Sequence, residues 1–217
     1  MYIEIDSLTK IIGGQKVLQD INLQLKKGVI YGIKGKNGSG KTMLLRSICG
    51  LIKPTEGTVK IDGKLLGKDL TFPHSVGVLI ENPGFIVNLS GYDNLKMLAD
   101  IKGEIGKTEI EEVMEQVGLN RNDFRKKYKT YSLGMKQKLG IAAAVMEHPD
   151  LILLDEPTNA LDEESVNRVI ALLKKEKERG ALIIIASHDL EELNYLSDTI
   201  LVMEEGRIKS QHEEESD

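Results

Sequence analysis

Val29-Ile30-Tyr31-Gly32-Ile33 runs through Lys34 into Gly35-Lys36-Asn37-Gly38-Ser39-Gly40-Lys41-Thr42, and Met43 to Cys49 follows with helical spacing. The eight residues from Gly35 fit G-x-x-x-x-G-K-[ST], in the context that motif needs: an apolar strand before it and a helix after it. Such a P-loop curls so that successive backbone N–H groups point at phosphate oxygens, and the helix beginning near Lys41 adds the positive end of its dipole. Lys41 is expected to neutralise phosphate charge and Thr42 to ligate Mg²⁺. Gly50 is placed to cap the helix, with Pro54 just beyond. The competing reading is a glycine-rich turn that happens to precede Lys-Thr, and the motifs farther along the chain count against it.

Leu151-Ile152-Leu153-Leu154-Asp155-Glu156 is the first of these: four apolar residues deliver two adjacent acids at a strand's C-terminal end, where open α/β sheets place ligands. Asp155 fits the Mg²⁺ shell. Glu156, one residue nearer the γ-phosphate side, can polarise the attacking water, because phosphoryl transfer depends on positioning and electrostatics. Pro157 stops the strand. Glu163 to Arg179 then carries Val166, Val169, Ile170 and Leu173 on one helical face, and Ala181-Leu182-Ile183-Ile184-Ile185-Ala186-Ser187 is a second apolar strand. Continuous apolar strands alternating with helices suit a parallel sheet covered on both faces.

Toward the N-terminus, alternation in Ile3-Ile5 and Ile21-Leu23-Leu25 predicts strands, and Asp62-Gly63 predicts a two-residue hairpin turn within Gly57 to Leu66. In the middle, Thr108-x-x-Glu111 reads as a capping box for a helix carrying Ile110, Val113, Met114 and Val117, and another helix is expected to start at Ser132. The fold class is α/β: a P-loop NTPase parallel-sheet core with an N-terminal antiparallel β subdomain and an inserted α-helical subdomain. We expect one domain over residues 1–217, with the helical insertion at roughly 83–148 and an acidic, disordered tail from about 211.

A length of 217 residues, 41% hydrophobic and 29% charged, allows one large domain or two small ones. The longest purely apolar runs, Ile141 to Met146 and Ala181 to Ala186, are too short for a membrane span, and MYIEIDSLTK has no charged region followed by an apolar one. The expected location is therefore the cytoplasm. The single cysteine, Cys49, supports neither an intrachain disulfide nor a zinc site. Net charge is −5, and residues 203–217 hold six acids against Arg207 and Lys209, so the body is nearly neutral. That balance leaves no electrostatic footprint for nucleic acid.

Tyr131-Ser132-Leu133-Gly134-Met135-Lys136-Gln137, 23 residues before Asp155 when counted from Ser132, resembles the signature motif of the nucleotide-binding subunits of ABC transporters. Asn159-Ala160-Leu161-Asp162 is similar to their D-loop, and Ser187-His188-Asp189 to their switch-histidine segment. The resemblance runs from Leu8 to Lys209 and implies a RecA-like core that hydrolyses ATP with Mg²⁺. It also implies that Gly35 through Met43 hold one nucleotide while Ser132, Gly134, Met135 and Asp162 meet the nucleotide of an opposite subunit. Glu156 and His188 would be catalytic, and Thr42 and Asp155 metal-binding. A homodimer, or a heterodimer with a related ATPase subunit, and a separate transmembrane permease would be the partners, with this chain peripheral on the inner face of the cell membrane.

Departures narrow the resemblance. Leu133 replaces the first glycine of the usual signature pair. Val78-Leu79-Ile80-Glu81-Asn82-Pro83 puts Glu81 where most relatives place a Gln that touches Mg²⁺ and the attacking water. Together with the YSLGMKQ wording, this is similar to the bacitracin-resistance and lantibiotic-immunity exporters, which implies export of an antimicrobial peptide or drug. Ile12 stands where relatives stack adenine on an aromatic, so weak discrimination between ATP and GTP is expected, with Tyr2 as an alternative aromatic. Two other classes compete. One is a nucleotide-switched clamp acting without a membrane protein, although such relatives carry tandem domains or long coiled coils that 217 residues leave no room for. The other is a GTPase or small-molecule kinase, which would not need the signature, and no N-K-x-D motif is present.

Overall fold

Leu151-Ile152-Leu153-Leu154 and Leu182-Ile183-Ile184-Ile185 have no polar face, and all eight side chains are fully buried. Strands of this kind must be covered on both sides. The computed structural model, which describes residues 1–81 and 83–213, the last three by backbone alone, shows both covers. The chain runs β1 (Ile3–Ile12), β2 (Gln15–Leu25), β3 (Ile30–Lys34), α1 (Lys41–Ile48), β4 (Glu56–Ile61), β5 (Lys64–Leu65) and β6 (Val76–Leu79). It continues through α2 (Gly91–Lys102), α3 (Lys107–Gln116), α4 (Leu133–Val145), β7 (Leu151–Asp155), α5 (Glu163–Glu178), β8 (Leu182–Ser187), α6 (Leu190–Leu196), β9 (Thr199–Glu204) and β10 (Arg207–Glu213).

Six strands form one sheet in the order β10-β9-β3-β8-β7-β6, parallel except for the β9–β10 pair. Four others form an antiparallel sheet in the order β2-β1-β4-β5. Successive residues of a strand point to opposite faces, so β7 and β8 feed two cores. Ile152, Leu154, Ile183 and Ile185 join Leu95 of α2, Met114 of α3 and Ile141 of α4 on one side. Leu151, Leu153, Leu182 and Ile184 join Leu44 and Leu45 of α1 and Ile3, Ile5 and Ile21 of the antiparallel sheet on the other. The expected α/β architecture, with its parallel core, antiparallel layer and helices between β6 and β7, is the one observed.

Asp62 and Gly63 both take positive φ, 50° and 73°, and close the β4–β5 hairpin as expected. The capping box is displaced by two residues. The backbone N–H of Gly106, not of Thr108, starts α3, and it donates to Glu109 Oε2 at 3.0 Å while Thr108 lies inside the helix. The same i to i+3 spacing fits both registers, and Gly106 wins because it enters the helix from an extended conformation. The tail also differs from expectation: residues 211–213 extend β10 against Leu201, Ile200 and Thr199 of β9, and residues 214–217 lie outside the described residues.

Candidate nucleotide-binding site

The parallel strands β3, β7 and β8 end on the same edge of the sheet, and three of the sequence motifs are carried there. Gly35 follows β3, Asp155 ends β7 with Glu156 next, and Ser187 ends β8 before His188. The loop after β3 is tight. Gly40 takes φ 107°, and a Cβ on it would lie 2.8 Å from the Val17 carbonyl oxygen, so only glycine fits there. Lys41 is 5% exposed, and its Nζ donates to the Gly35 carbonyl at 2.6 Å and lies 3.8 Å from Glu156 Oε1. Ser39 Oγ is buried without a hydrogen-bond partner among the described residues, a donor left for a phosphate oxygen.

Thr42 Oγ1 donates to Asp155 Oδ2 at 2.7 Å, which joins the first turn of α1 to the end of β7. Burial raises the Asp155 carboxyl above its ordinary value; the Thr42 bond opposes this, Glu156 reinforces it, Lys41 opposes it and Glu81 adds to the rise. A cavity of about 400 Å³ is lined by Val17, Asn37 to Met43, Glu81, Asp155 and Glu156. Its hydroxyl and carboxylate oxygens are the hard donors Mg²⁺ prefers, and two or three of them plus phosphate oxygens is the usual Mg²⁺ arrangement. Thr42 and Asp155, with Glu81 beside them, fit that ion. Glu81 is also tied to α1, with Oε1 2.8 Å from Arg46 Nη2.

Glu156 takes φ 49°, a left-handed conformation that is uncommon outside glycine. Its Oε2 lies 2.9 Å from His188 Nδ1 and accepts from Ser187 Oγ at 3.3 Å. The carboxylate is thereby held between His188 and Lys41. Lys36 to Ser39 and His188 also line a neighbouring cavity of about 820 Å³ with Val202 to Glu205.

Other expected site residues are elsewhere. Ser132 caps α4, its Oγ accepting from Met135 N at 3.2 Å, and neither Ser132, Gly134 nor Met135 lines either cavity at the loop. Asp162 caps α5 through Ser165 N; the Ser165 hydroxyl first, and then that backbone bond, hold its carboxyl below the usual range, and it faces a third cavity with Lys138 and Arg168. Ile12 sits at the exposed end of β1 and lines neither loop cavity. Tyr2 is no substitute for it. Its ring lies 4.6 Å from Lys27 Nζ, and burial followed by the charges of Asp150 and Asp62 pushes its hydroxyl up to about 12. Asp150 precedes β7, whereas the site is at that strand's other end.

A family profile described as ABC transporter matches residues 18–159. The chain belongs to the ABC transporter family. It is similar to the ABC transporter ATP-binding protein YybJ of Bacillus subtilis (strain 168), 48% identical over 208 residues that cover 96% of this chain and 95% of that one. It is 44% identical to the bacitracin transport ATP-binding protein BcrA of Enterococcus faecalis, over 95% of this chain and 67% of BcrA. The lantibiotic transport ATP-binding protein SrtF of Streptococcus pyogenes is 35% identical, over 95% and 88%. Among solved structures, the dimeric bacterial ABC transporter cassette MJ0796 matches with a TM-score of 0.88 at 26% identity, covering 99% of this chain and all of that one.

The protein is thus the ATP-binding subunit of an ABC transporter and a Mg²⁺-dependent ATPase, and its relatives include those of the bacitracin and lantibiotic branch. No helix among the described residues of this ABC subunit is long and apolar enough to cross a membrane. Sequence reasoning missed two contributors to the site. Val17 of β2 enters the loop cavity through strand pairing that no local motif announces. Gln137 lies inside the signature segment, and its side-chain amide donates to the carbonyls of Glu156 and Pro157, both at 2.9 Å. Its place in the motif was visible; its acceptors were not.

Proposed function

We propose that this subunit powers export of a membrane-active peptide antibiotic through a separate membrane-spanning partner, working at the inner face of the cell membrane as a dimer around two ATP. Glu81, a carboxylate in the same cavity as Asp155 and Glu156, is one of the positions on which the resemblance to that exporter branch rests. The bacitracin and lantibiotic transport names of relatives at 44% and 35% identity support it. Dimerisation is supported by the separation of the signature residues from the loop cavities: a nucleotide held by Lys41 needs Ser132 and Gly134 of another subunit.

In this reading the backbone of Gly35 to Thr42 and the Lys41 ammonium bind the phosphates. Thr42 and Asp155, with Glu81 beside them, would hold Mg²⁺, which would neutralise phosphate charge when bound. Glu156 orients the attacking water and takes its proton, and His188 fixes the Glu156 carboxylate through their 2.9 Å contact. Closure of the dimer moves the helices between β6 and β7 together with the membrane partner, and hydrolysis resets it. The test is affinity purification of tagged Glu156→Gln protein from detergent-solubilised native membranes with ATP and Mg²⁺. The expected result is a co-purifying hydrophobic protein of several spans and a dimer on gel filtration. Recovery of soluble factors alone, with the protein missing from the membrane fraction, would favour a nucleotide-switched clamp instead.

A further inference from the structure

Glu156 carries its carboxylate from a left-handed backbone, and something must hold that conformation. Within its own turn, Glu156 N donates to the Ala186 carbonyl at 2.8 Å, and Asn159 N donates to the Glu156 carbonyl at 3.3 Å. Further support comes from α4. Gln137 Nε2 uses both its protons, one on the Glu156 carbonyl and one on the Pro157 carbonyl, each at 2.9 Å. One turn earlier, Gly134 lies against the same segment, and a Cβ there would stand 2.7 Å from the Ala160 carbonyl. Ala160 is itself left-handed, at φ 63°. The helix that begins at Ser132 therefore grips the turn from Glu156 to Ala160 at two points.

We infer that Gln137 is a positioning residue for ATP hydrolysis: its amide fixes the Glu156 backbone and so aims the carboxylate between Lys41 and His188. Because the same helix presents Ser132 and Gly134, the aim of one chain's Glu156 depends on how that chain's signature helix is seated. A carboxylate at position 137 offers no proton to either carbonyl, and an apolar side chain of the same length leaves both without this donor. Nucleotide binding has no need of Gln137, since Lys41, Thr42 and the loop backbone are held independently of it.

This inference rests on Glu156 being the group that handles the attacking water, so the experiment uses Gln137→Met, Gln137→Glu, Glu156→Gln and the double variant Gln137→Met/Glu156→Gln. Misplacing a catalytic group by about 1 Å costs on the order of 100-fold. For Gln137→Met and Gln137→Glu we expect kcat to fall by about 10- to 100-fold with KM for MgATP within about twofold of wild type. With ATP and Mg²⁺, Gln137→Met is expected to accumulate dimer on gel filtration as Glu156→Gln does, because binding survives and turnover does not. The double variant is expected to turn over no more slowly than Glu156→Gln alone. Three results would overturn the inference: wild-type kcat in both single variants, a fall that adds in full to that of Glu156→Gln, or loss of the ATP-bound dimer together with a lowered Tm, which marks a merely structural role. If Glu156→Gln itself hydrolyses ATP at the wild-type rate, the assignment of Glu156 and the inference fall together. If Glu156→Gln is inactive while Gln137→Met is not, only the inference falls.

Discussion

Asp155 shows how a single residue trades stability for chemistry. Its carboxyl is raised in the folded chain, mainly by burial, while in the unfolded chain it titrates at the ordinary value near about 3.9. The folded state therefore binds more protons than the unfolded one between those two values, and stability falls as pH rises through that window, leaving a constant penalty above it. Asp155→Asn removes the charge but keeps an oxygen for the Thr42 hydroxyl, so Tm at pH 7 should rise, and the gain should shrink as pH falls through the window between the raised value and the ordinary one and be gone below the ordinary value. Thermal melts across pH would check this, with Mg²⁺-dependent ATPase reduced by more than about 100-fold in the same variant. Base selection is also decided by single residues. Among the described residues no Phe, Tyr or Trp lines either cavity at the loop, and Tyr2 belongs to the far end of β7. A stacking contact contributes about 0.5–1.5 kcal/mol, so kcat/KM for GTP should lie within about tenfold of that for ATP in a nucleotide panel.

Secondary-structure elements meet most closely where α4 crosses β6. A Cβ on Gly77 would fall well inside contact distance of the Ala144 carbonyl, which is backbone and cannot swing aside. Gly77→Ala is expected to cost about 3 kcal/mol or more, because the helix must lift from the sheet, and urea unfolding followed by circular dichroism would measure it. Little in the sequence distinguishes Gly77 from any other glycine in a strand. By contrast, the strands Leu151–Asp155 and Leu182–Ser187 were readable in full, since their unbroken apolar runs of four and five residues, each ending in a polar residue, admit few alternatives. Boundaries were less legible. Thr108-x-x-Glu111 and Gly106-x-x-Glu109 offer the same spacing two residues apart, and the observed start depends on the local backbone.

For the whole molecule, the central consequence of the proposed dimer is that one chain would present two half-sites. Lys41→Ala abolishes the loop half and leaves the signature half intact, and Ser132→Asp does the reverse. Each variant alone should be inactive, whereas an equal mixture should recover about a quarter of wild-type ATPase, because half the two-fold dimers are mixed and each holds one intact site. Coupled ATPase assays on the mixture would show this, and activity no greater than that of either variant alone would count against composite sites. The chemistry of the protein was legible in its sequence. G-x-x-x-x-G-K-[ST], Asp155-Glu156 and Ser187-His188 each follow an apolar strand, and parallel strands must deliver their C-terminal ends to one edge. Only the tertiary structure decided which of those groups touch, that Val17 walls the loop cavity, that Tyr2 is remote from it, and that Gln137 holds the turn under Glu156. The reason is physical: spacing along the chain fixes which face of a strand or helix a residue occupies, whereas contact between residues about 20 apart or more depends on how elements pack, which no local pattern records.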